Sequence, residues 1–181
     1  MSFKCQKLVL SAFFTALIVC GAYIKIPIPF IPITLQTAFV ILSGLLLGAK
    51  YSAASNIAYL LLGLSGFPVY SGGGGLSYVL QPTFGYIIGF IFGALVTGLI
   101  SRKLIKKNTL TYFISGLIGL VVIYICGISY YCFISHIYLH INITFRHIFI
   151  YGFISTAPCD ILFTALAAYT AKRLSPVIKY D

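Results

Sequence analysis

Apolar residues run along most of this chain in six stretches, which short turn-rich or basic segments separate. A helix that spans a membrane needs about 20 mostly apolar residues, slightly fewer where neighbouring helices bury it. The pattern therefore predicts an all-α polytopic membrane protein with six transmembrane helices and a single domain over 1–181. The second and third helices are short, and only Gly48, Ala49 and Lys50 separate them, which predicts a tight helical pair. The predicted helices cover 7–24, 35–48, 51–64, 83–101, 110–133 and 147–173.

The composition agrees with a membrane location and argues against a soluble domain. Hydrophobic residues make up 60% of the chain, the mean hydropathy is +1.05, and Asp160 and Asp181 are the only acids. A soluble protein could not cover that much apolar surface. The net charge of +10 would suggest nucleic-acid binding in a soluble chain, but here the basic residues cluster at the ends of the apolar stretches. We therefore expect a lipid bilayer around the chain and no nucleic-acid partner.

The basic residues also predict the orientation of the helices. With six spans and both termini on one face, that face collects ten basic residues, while the other keeps only Lys25 and Arg146. Cytoplasmic segments of membrane proteins carry an excess of Lys and Arg. We therefore expect both termini in the cytoplasm. Three loops then meet outside: the proline-rich loop after the first helix, the glycine-rich loop after the third, and 135–146.

The segment 66–89 interrupts the apolar pattern with residues that do not form an ordinary helix. It carries Pro68 and Pro82, four consecutive glycines over 72–75, and no charge. Irregular backbone survives at membrane depth only where protein buries it or where it lines a polar cavity, because lipid cannot satisfy its N–H and C=O groups. We therefore predict that this segment forms a wall or lid of a binding cavity. Its candidate substrate-binding residues are Gly72, Gly73, Gly74, Tyr78, Gln81, Thr83 and Tyr86.

The loop after the first helix is the second uncharged, turn-rich connector predicted on the outer face. Its three prolines, Pro27, Pro29 and Pro32, predict an extended strand with few backbone donors. Thr34 is placed to cap the second helix, and Gln36 brings a primary amide to its first turn. A stiff connector that only spaces two helices is the alternative. Because the glycine-rich loop lies on the same side, we favour a shared binding site.

Asp160 is the only acid between the termini, and it lies near the middle of the predicted sixth span. Burying a carboxylate there costs at least a few kcal/mol, so acids within membranes normally face a cavity or a partner and mark a functional path. Pro158 removes a helical hydrogen bond and opens the backbone nearby. The alternative is an acid paired with a base for structure alone. The sequence disfavours it, because no Lys or Arg falls within the core of another predicted helix.

Two other patterns are weaker. Ala12 and Ala16 give the first helix a small-residue groove in which another helix can pack closely, although such spacings also occur by chance. His136 and His140 have the i, i+4 spacing of a metal pair, but only His147 could add a third ligand nearby. We therefore predict no metal site.

These segments together resemble BioY, the biotin-specific substrate-binding subunit, or S component, of energy-coupling-factor (ECF) transporters. The resemblance covers nearly the whole chain and depends on four segments. They are PIPFIPITLQT over 27–37, LLLGLSGFPVYSGGGGLSYVLQPTFGYIIGF over 60–90, APCDIL over 157–162 and the closing AKRLSP.

The resemblance implies a six-helix S component in a prokaryotic-type cell membrane. Such a protein binds biotin in a cavity that opens outside and is closed by the first and third outer loops. An ECF transmembrane coupling protein and two ATPase subunits then drive uptake, so the S component is not an enzyme and carries no cofactor; ATP is used by the partners only. Ala12 and Ala16 match the surface that docks on the coupling protein. Asp160 matches an acid that holds the ureido ring.

The chemistry of biotin agrees with this implication on independent grounds. Its ureido group has two N–H donors, for which a buried carboxylate is a strong acceptor. Its thiophane ring and valerate chain are apolar and suit aromatic walls. The candidates for those walls are Tyr70, Tyr78, Phe84 and Tyr86.

The chain departs from the family pattern at several positions. Many members have Gly where Cys159 stands, some have Lys where Phe163 stands, some have Arg where Ile87 stands, and some have Asn near Gly72. Without that Lys and Arg, the usual cationic holder of the valerate carboxylate is missing.

Three groups could replace that cationic holder: Lys25, Arg146, or the N-terminus of the fourth helix around Thr83 and Phe84, where free N–H groups attract anions. A less charged ligand is the other possibility, so an S component for another vitamin or small solute is a second hypothesis. A small intramembrane enzyme that uses Asp160, and a purely structural subunit, are hypotheses of other classes. Acid–base catalysis usually needs a second polar group within reach, and only amides, hydroxyls and tyrosines are available.

Overall fold

The computed structural model describes residues 3–27, 31–104, 108–137, 146 and 150–176. The described residues form six α-helices, a two-stranded hairpin, one 3₁₀ helix and one turn of π-helix. In chain order they are α1 (Phe3–Tyr23), β1 (Lys25–Ile26), β2 (Ile33–Thr34), α2 (Gln36–Leu47), α3 (Ala49–Leu64), the 3₁₀ helix (Leu76–Leu80), α4 (Phe84–Lys103), α5 (Thr109–Ile137), the π turn (Ile150–Ile154) and α6 (Ala157–Leu174).

Four described segments are long and apolar enough to cross a membrane: Cys5–Tyr23, Phe84–Lys103, Thr109–His136 and Gly152–Leu174. The other two helices, α2 and α3, have only 12 and 16 residues, as their short apolar stretches predict. All six helices are thus found, and the predicted all-α membrane fold is confirmed. The last span differs most from its prediction.

The turn between α2 and α3 is tighter than predicted. Gly48 alone separates them, with φ at 74°, while Ala49 and Lys50 already belong to α3. A Cβ on Gly48 would lie 2.1 Å from Nε of Arg102, whose Nη2 donates to the Leu47 carbonyl at 2.9 Å. A single glycine suffices because only glycine accepts this backbone conformation without a steric penalty and leaves room for the guanidinium.

Close contact between α4 and α5 forms one wall of the helix bundle. A Cβ on Gly89 would lie 2.9 Å from the Ile123 carbonyl oxygen, and one on Gly93 would lie 2.4 Å from the Ile123 side chain. Small residues let two backbones approach in this way, and membrane helices associate largely through such packing. The contact fixes α5 beside the outer half of α4, where the cavity lies.

The sixth span is broken, not continuous as predicted. The π turn over Ile150–Ile154 and a short turn precede α6, which begins at Ala157 with Pro158 in its first turn. Proline is tolerated in that first turn because its missing N–H would have no helical partner there. Asp160 therefore lies in the first turn of α6 and not in the middle of a helix, which corrects the prediction from the sequence.

The first outer loop forms a hairpin where an extended strand was predicted. β1 pairs antiparallel with β2, with Lys25 opposite Thr34, and Pro29 lies outside the described residues. Thr34 does not cap α2, because the cap position is Leu35 and has no side-chain bond. The Thr34 hydroxyl donates instead to Oε1 of Gln36 at 3.2 Å.

The glycine-rich loop is irregular, as its composition predicts, and it is bonded to the first outer loop. Tyr70 and Gly73 exchange backbone hydrogen bonds of 2.8 and 3.1 Å, and Gly73 has φ at 121°. The Tyr23 hydroxyl donates to the Pro68 carbonyl, and Nζ of Lys25 donates to the Ser71 carbonyl at 2.5 Å. The end of α1 and the hairpin thus hold the glycine-rich loop over one end of the bundle.

Candidate functional site

A cavity lies where the two outer loops meet the first turns of three helices and the middle of a fourth, α5. It contains about 570 Å³ of empty space, including the part that opens to the outside. The hairpin, the glycine-rich loop, α2, α4, α5 and the start of α6 all contribute to its wall. The lining residues are Ile31, Pro32, Ile33, Thr34, Gln36, Thr37, Ser71, Tyr78, Thr83, Tyr86, Ile87, Phe90, Ile123, Tyr124, Thr156 and Asp160.

Asp160 is held in the cavity wall by hydroxyl groups. Its side chain is 8% exposed, and the Tyr124 hydroxyl donates to Oδ2 at 2.5 Å. The same hydroxyl lies 2.9 Å from Oγ1 of Thr156, and Thr37 lines the cavity together with Asp160. The carboxylate partner found is therefore a neutral donor. This arrangement disfavours the alternative of an acid paired with a base for structure.

Gln36, which also lines the cavity, links β2, α2 and α3. Its side chain is 5% exposed, its Nε2 donates to the Tyr59 hydroxyl at 2.6 Å, and its Oε1 accepts from Thr34. The Tyr59 hydroxyl in turn donates to the Val69 carbonyl at 3.2 Å. A primary amide has two N–H donors. Gln36 can therefore keep its bond to Tyr59 and still donate to a ligand.

Tyr78 and Tyr86 form the aromatic part of the lining. The Tyr78 hydroxyl accepts from Oγ1 of Thr83 at 3.1 Å, and the Tyr86 hydroxyl donates to the Gly152 carbonyl at 2.9 Å. The ring of Tyr86 packs edge-on against that of Tyr124, with centroids 6.2 Å apart. The ring surfaces of both residues suit an apolar ligand.

Two predicted wall residues support the lining from behind. Tyr70 is buried and stacks against Tyr78, with centroids 4.5 Å apart, while Phe84 packs against Tyr130. Burial, with a smaller contribution from Tyr78, raises the pKa of Tyr70 to about 12, so its hydroxyl stays neutral at physiological pH. Neither residue belongs to the cavity lining, which corrects their prediction as direct walls.

The structure brings six of the predicted binding residues together and leaves four outside the lining. Gly72, Gly73, Gly74 and Gln81 lie in or after the glycine-rich loop but do not line the cavity. A Cβ on Gly74 would lie 2.0 Å from the Phe67 carbonyl oxygen, so this glycine allows the loop to fold on itself. A binding role for these four residues stays a prediction. The six in the lining are Asp160, Thr34, Gln36, Tyr78, Thr83 and Tyr86.

Tyr124, Thr156 and Thr37 are the main site residues that sequence reasoning missed. Tyr124 lies within the long apolar stretch of α5, where it resembles any other aromatic core residue. One signal was available: a tyrosine hydroxyl in the middle of a span needs a hydrogen-bond partner when it is buried. Asp160, as the only acid in any span, was the obvious candidate for that partner.

The predicted docking surface is an open groove between α1 and α3. Ala12 and Ala16 are exposed and line it together with Ala58 and Leu62. The two helices are joined beside the groove because Oγ1 of Thr15 donates to the Ser55 carbonyl at 3.0 Å. A flat, apolar and rigid surface of this kind suits the packing of another membrane helix.

The histidines give no support to a metal site. His136 is exposed, and its Nδ1 lies 3.1 Å from the Cys132 carbonyl oxygen. His140 and His147 lie outside the described residues. Within the described ranges, no group of three His, Cys, Asp or Glu residues is close enough to hold a metal ion.

Comparison with known proteins identifies the family. The model of the BioY family matches residues 1–180. The chain belongs to the BioY family. The "Probable biotin transporter BioY" of Lysinibacillus sphaericus is 39% identical over 172 residues, which cover 95% of this chain and 88% of that protein. The "Biotin transporter BioY" of Thermotoga maritima is 39% identical over 170 residues, which cover 93% of this chain and 95% of that protein.

A solved structure shows the same fold as this BioY family member. It is the crystal structure, at 2.1 Å, of the S-component for biotin from an ECF-type ABC transporter. The two chains superpose with a TM-score of 0.85 at 31% sequence identity, over 96% of this chain and 92% of that one. The family and the four long apolar segments together make this chain a multi-pass membrane protein with the S-component fold.

Proposed function

We propose that this chain is a membrane-embedded, biotin-binding subunit that captures biotin from the outside for uptake. The main support for this proposal is the position of Asp160. Its buried carboxylate accepts from a neutral hydroxyl and lies in the wall of a cavity under two outer loops. Tyr124 occupies Oδ2, and an ionised carboxylate has lone pairs for further donors. A ureido N–H of biotin donates to this carboxylate in a charge-assisted hydrogen bond.

The remaining lining suits the other parts of biotin. Gln36 has a second N–H with which to donate to the ureido carbonyl. The rings of Tyr78, Tyr86 and Phe90 cover the thiophane ring and the start of the valerate chain. Binding sites for small molecules commonly combine apolar walls with a few well-placed polar groups in this way.

The proposal includes delivery by an ATP-driven module. The similar solved chain is the S-component of an ECF-type ABC transporter. By analogy, this single-domain chain docks through Ala12 and Ala16 on an ECF transmembrane coupling protein, and two ATPase subunits supply the energy. Both termini then face the cytoplasm, where the excess of Lys and Arg lies. The chain itself performs no chemical step and uses no cofactor.

One observation favours a second candidate, an S component for another small solute. The residues that line the described cavity include an acid but no Lys, Arg or His, although biotin carries a carboxylate. An uncharged vitamin with several N–H donors would meet the same wall without that mismatch. Competition between ligands separates the two candidates.

The test is binding of tritiated biotin to the purified full-length protein in lipid nanodiscs without ATP. We expect saturable binding at one site, with no competition by thiamin or riboflavin. Asp160→Asn keeps the shape of the side chain and should weaken binding by about tenfold or more, because a charge-assisted bond becomes a neutral one. Thr170→Val, at a half-buried position of α6 outside the cavity lining, is the control and should bind normally. Unchanged affinity in Asp160→Asn would contradict the assigned site, and displacement by another vitamin would favour the second candidate.

A further inference from the structure

The described cavity wall leaves the negative end of biotin without a charged partner. Asp160 attracts N–H donors and repels a carboxylate, so the two ends of the ligand must bind at different places. No side chain in the cavity lining is basic. An anion that leaves water for a largely apolar site needs a donor or a cation in return. A basic group just beyond the lining, at the mouth, is therefore the place to look.

Lys25 lies at that mouth. It is the first residue of β1 and pairs with Thr34, which lines the cavity. Its Nζ donates to the Ser71 carbonyl at 2.5 Å, and Ser71 lines the cavity from the glycine-rich loop. The backbone of Lys25 is thus paired with a lining residue of the hairpin, while its ammonium group is bonded to a lining residue of the glycine-rich loop.

The ammonium group keeps binding capacity in this position. It has three N–H donors, and one carbonyl oxygen uses only one of them. The Lys25 side chain is exposed, so a carboxylate can reach it without a large loss of hydration. Hydrogen bonds between a lysine and a carboxylate are stronger than those to a neutral carbonyl. A ligand carboxylate can therefore share or replace the bond to Ser71.

The basic residues of α3, α4 and α6 are poorly placed for this role. Helices α4 and α6 begin at the cavity, yet their basic residues, Arg102, Lys103, Lys172 and Arg173, lie in their last turns. Lys50 follows the turn at Gly48, which contacts Arg102 at that same distant end. The start of α4 has fewer free N–H groups for an anion than its position suggests. The N–H of Phe84 is bonded to the Gln81 carbonyl, and that of Tyr86 is bonded to the Thr83 carbonyl.

We infer that Lys25 is the specificity-determining cation that binds the ligand carboxylate at the mouth of the cavity, bridging it to the glycine-rich loop through the Ser71 carbonyl. The inference depends on the proposed function, because it assigns the second end of the same ligand. It also gives the hairpin a direct task in binding. The carboxylate would strengthen the link between the two outer loops as it binds.

The experiment compares biotin with biotinamide, whose terminal amide is uncharged, in binding to the full-length protein in nanodiscs. Lys25→Met removes the charge while keeping an unbranched side chain. It should weaken biotin binding by about tenfold or more and change biotinamide binding by less than about threefold. Lys25→Arg should retain the preference for biotin. Arg146→Met removes the other basic residue expected on this face and should leave both affinities unchanged.

The ratio between the two ligands decides the outcome, because damage to the loops alone would weaken both. Equal losses for biotin and biotinamide in Lys25→Met, or no loss for either, would overturn the inference and leave the proposed function standing. A carboxylate-selective loss in Arg146→Met would move the role to that residue and overturn the inference equally. Wild-type protein that binds neither ligand would overturn the proposed function, and the assignment of Lys25 with it.

Discussion

The hydroxyl of Tyr124 offers the sharpest test of how the cavity holds its acid. Tyr124→Phe removes a single oxygen, the one that donates to Oδ2 of Asp160 at 2.5 Å. The ring should stay in place, because it packs edge-on against Phe153 at 4.9 Å and against Tyr86 at 6.2 Å between centroids. The substitution therefore separates the hydrogen bonds of this hydroxyl, to Asp160 and to Thr156, from the packing of the ring.

The structure separates the expected effect into a stability part and a binding part. The bond exists without ligand, so its loss lowers stability by about 1.5–3 kcal/mol, the range for a hydrogen bond to a charged group. The free energy of binding falls by less than the stability. The ligand now has to order a freed carboxylate, which costs about 0.5–1.5 kcal/mol. The biotin affinity of Tyr124→Phe should thus fall by about twofold to twelvefold. The affinity of Asp160→Asn, which loses the charged contact itself, should fall further.

The assay is biotin titration together with thermal unfolding in nanodiscs, for both single variants and the double variant. If Tyr124 acts through Asp160, removing its hydroxyl should change affinity and stability much less in the Asp160→Asn background, where the carboxylate is gone. The effects of the two substitutions should therefore not add. Tyr112→Phe is the matched control, since Tyr112 is buried on the same helix but lies outside the cavity lining. Fully additive losses of affinity and stability would refute the reasoning. So would a Tyr124→Phe protein that is as stable as the control and binds biotin as tightly.

Three further predictions follow from the fold and the outer loops. Gly48→Ala should lower the free energy of unfolding by about 1–3 kcal/mol, because φ is 74° there and the guanidinium of Arg102 fills the space; thermal unfolding that matches wild type would contradict it. Ala12→Leu combined with Ala16→Leu should abolish biotin uptake in cells, while biotin binding in nanodiscs stays normal. Val9→Leu should change neither uptake nor binding, and retained uptake in the double variant would argue against the groove as the docking surface. Tyr23→Phe removes the bond to the Pro68 carbonyl and should speed biotin release by about fivefold, as stopped-flow displacement would measure; an unchanged rate would mean that this link does not restrain the loop.

Much of the fold could be predicted because composition alone distinguishes membrane helices. The apolar stretches predicted all six helices, and the breakers over 66–82 predicted irregular backbone, which the positive φ values of Gly66, Gly73 and Gly75 confirm. The hairpin could not be read from its prolines, since pairing depends on which segment folds back beside β1. Single-residue turns such as Gly48 depend likewise on a distant side chain, here that of Arg102.

The candidate site was predictable at its charged residue and poorly predictable elsewhere. Asp160 stands out because an acid within a span is rare and costly. Tyr124 does not stand out, because one tyrosine among many in an apolar helix gains its role only from the residue it faces. The glycines at 72–74 show the converse case: their sequence is unusual, yet none of the three lines the described cavity, and a binding role for them stays a prediction.

The break before α6 explains how an acid can lie in the wall without a basic partner. If the span were one helix, Asp160 would face only side chains, and its charge would depend on them alone. Because α6 begins at Ala157, the carboxylate lies in a first turn, where the positive end of the helix dipole favours negative charge. The hydroxyl group of Tyr124 adds a donor, and the cavity beside it has room for water or a ligand. A salt bridge to a lysine would have stabilised the acid too, but it would have competed with the N–H groups of the ligand. The broken span stabilises the carboxylate and leaves its remaining lone pairs to the cavity.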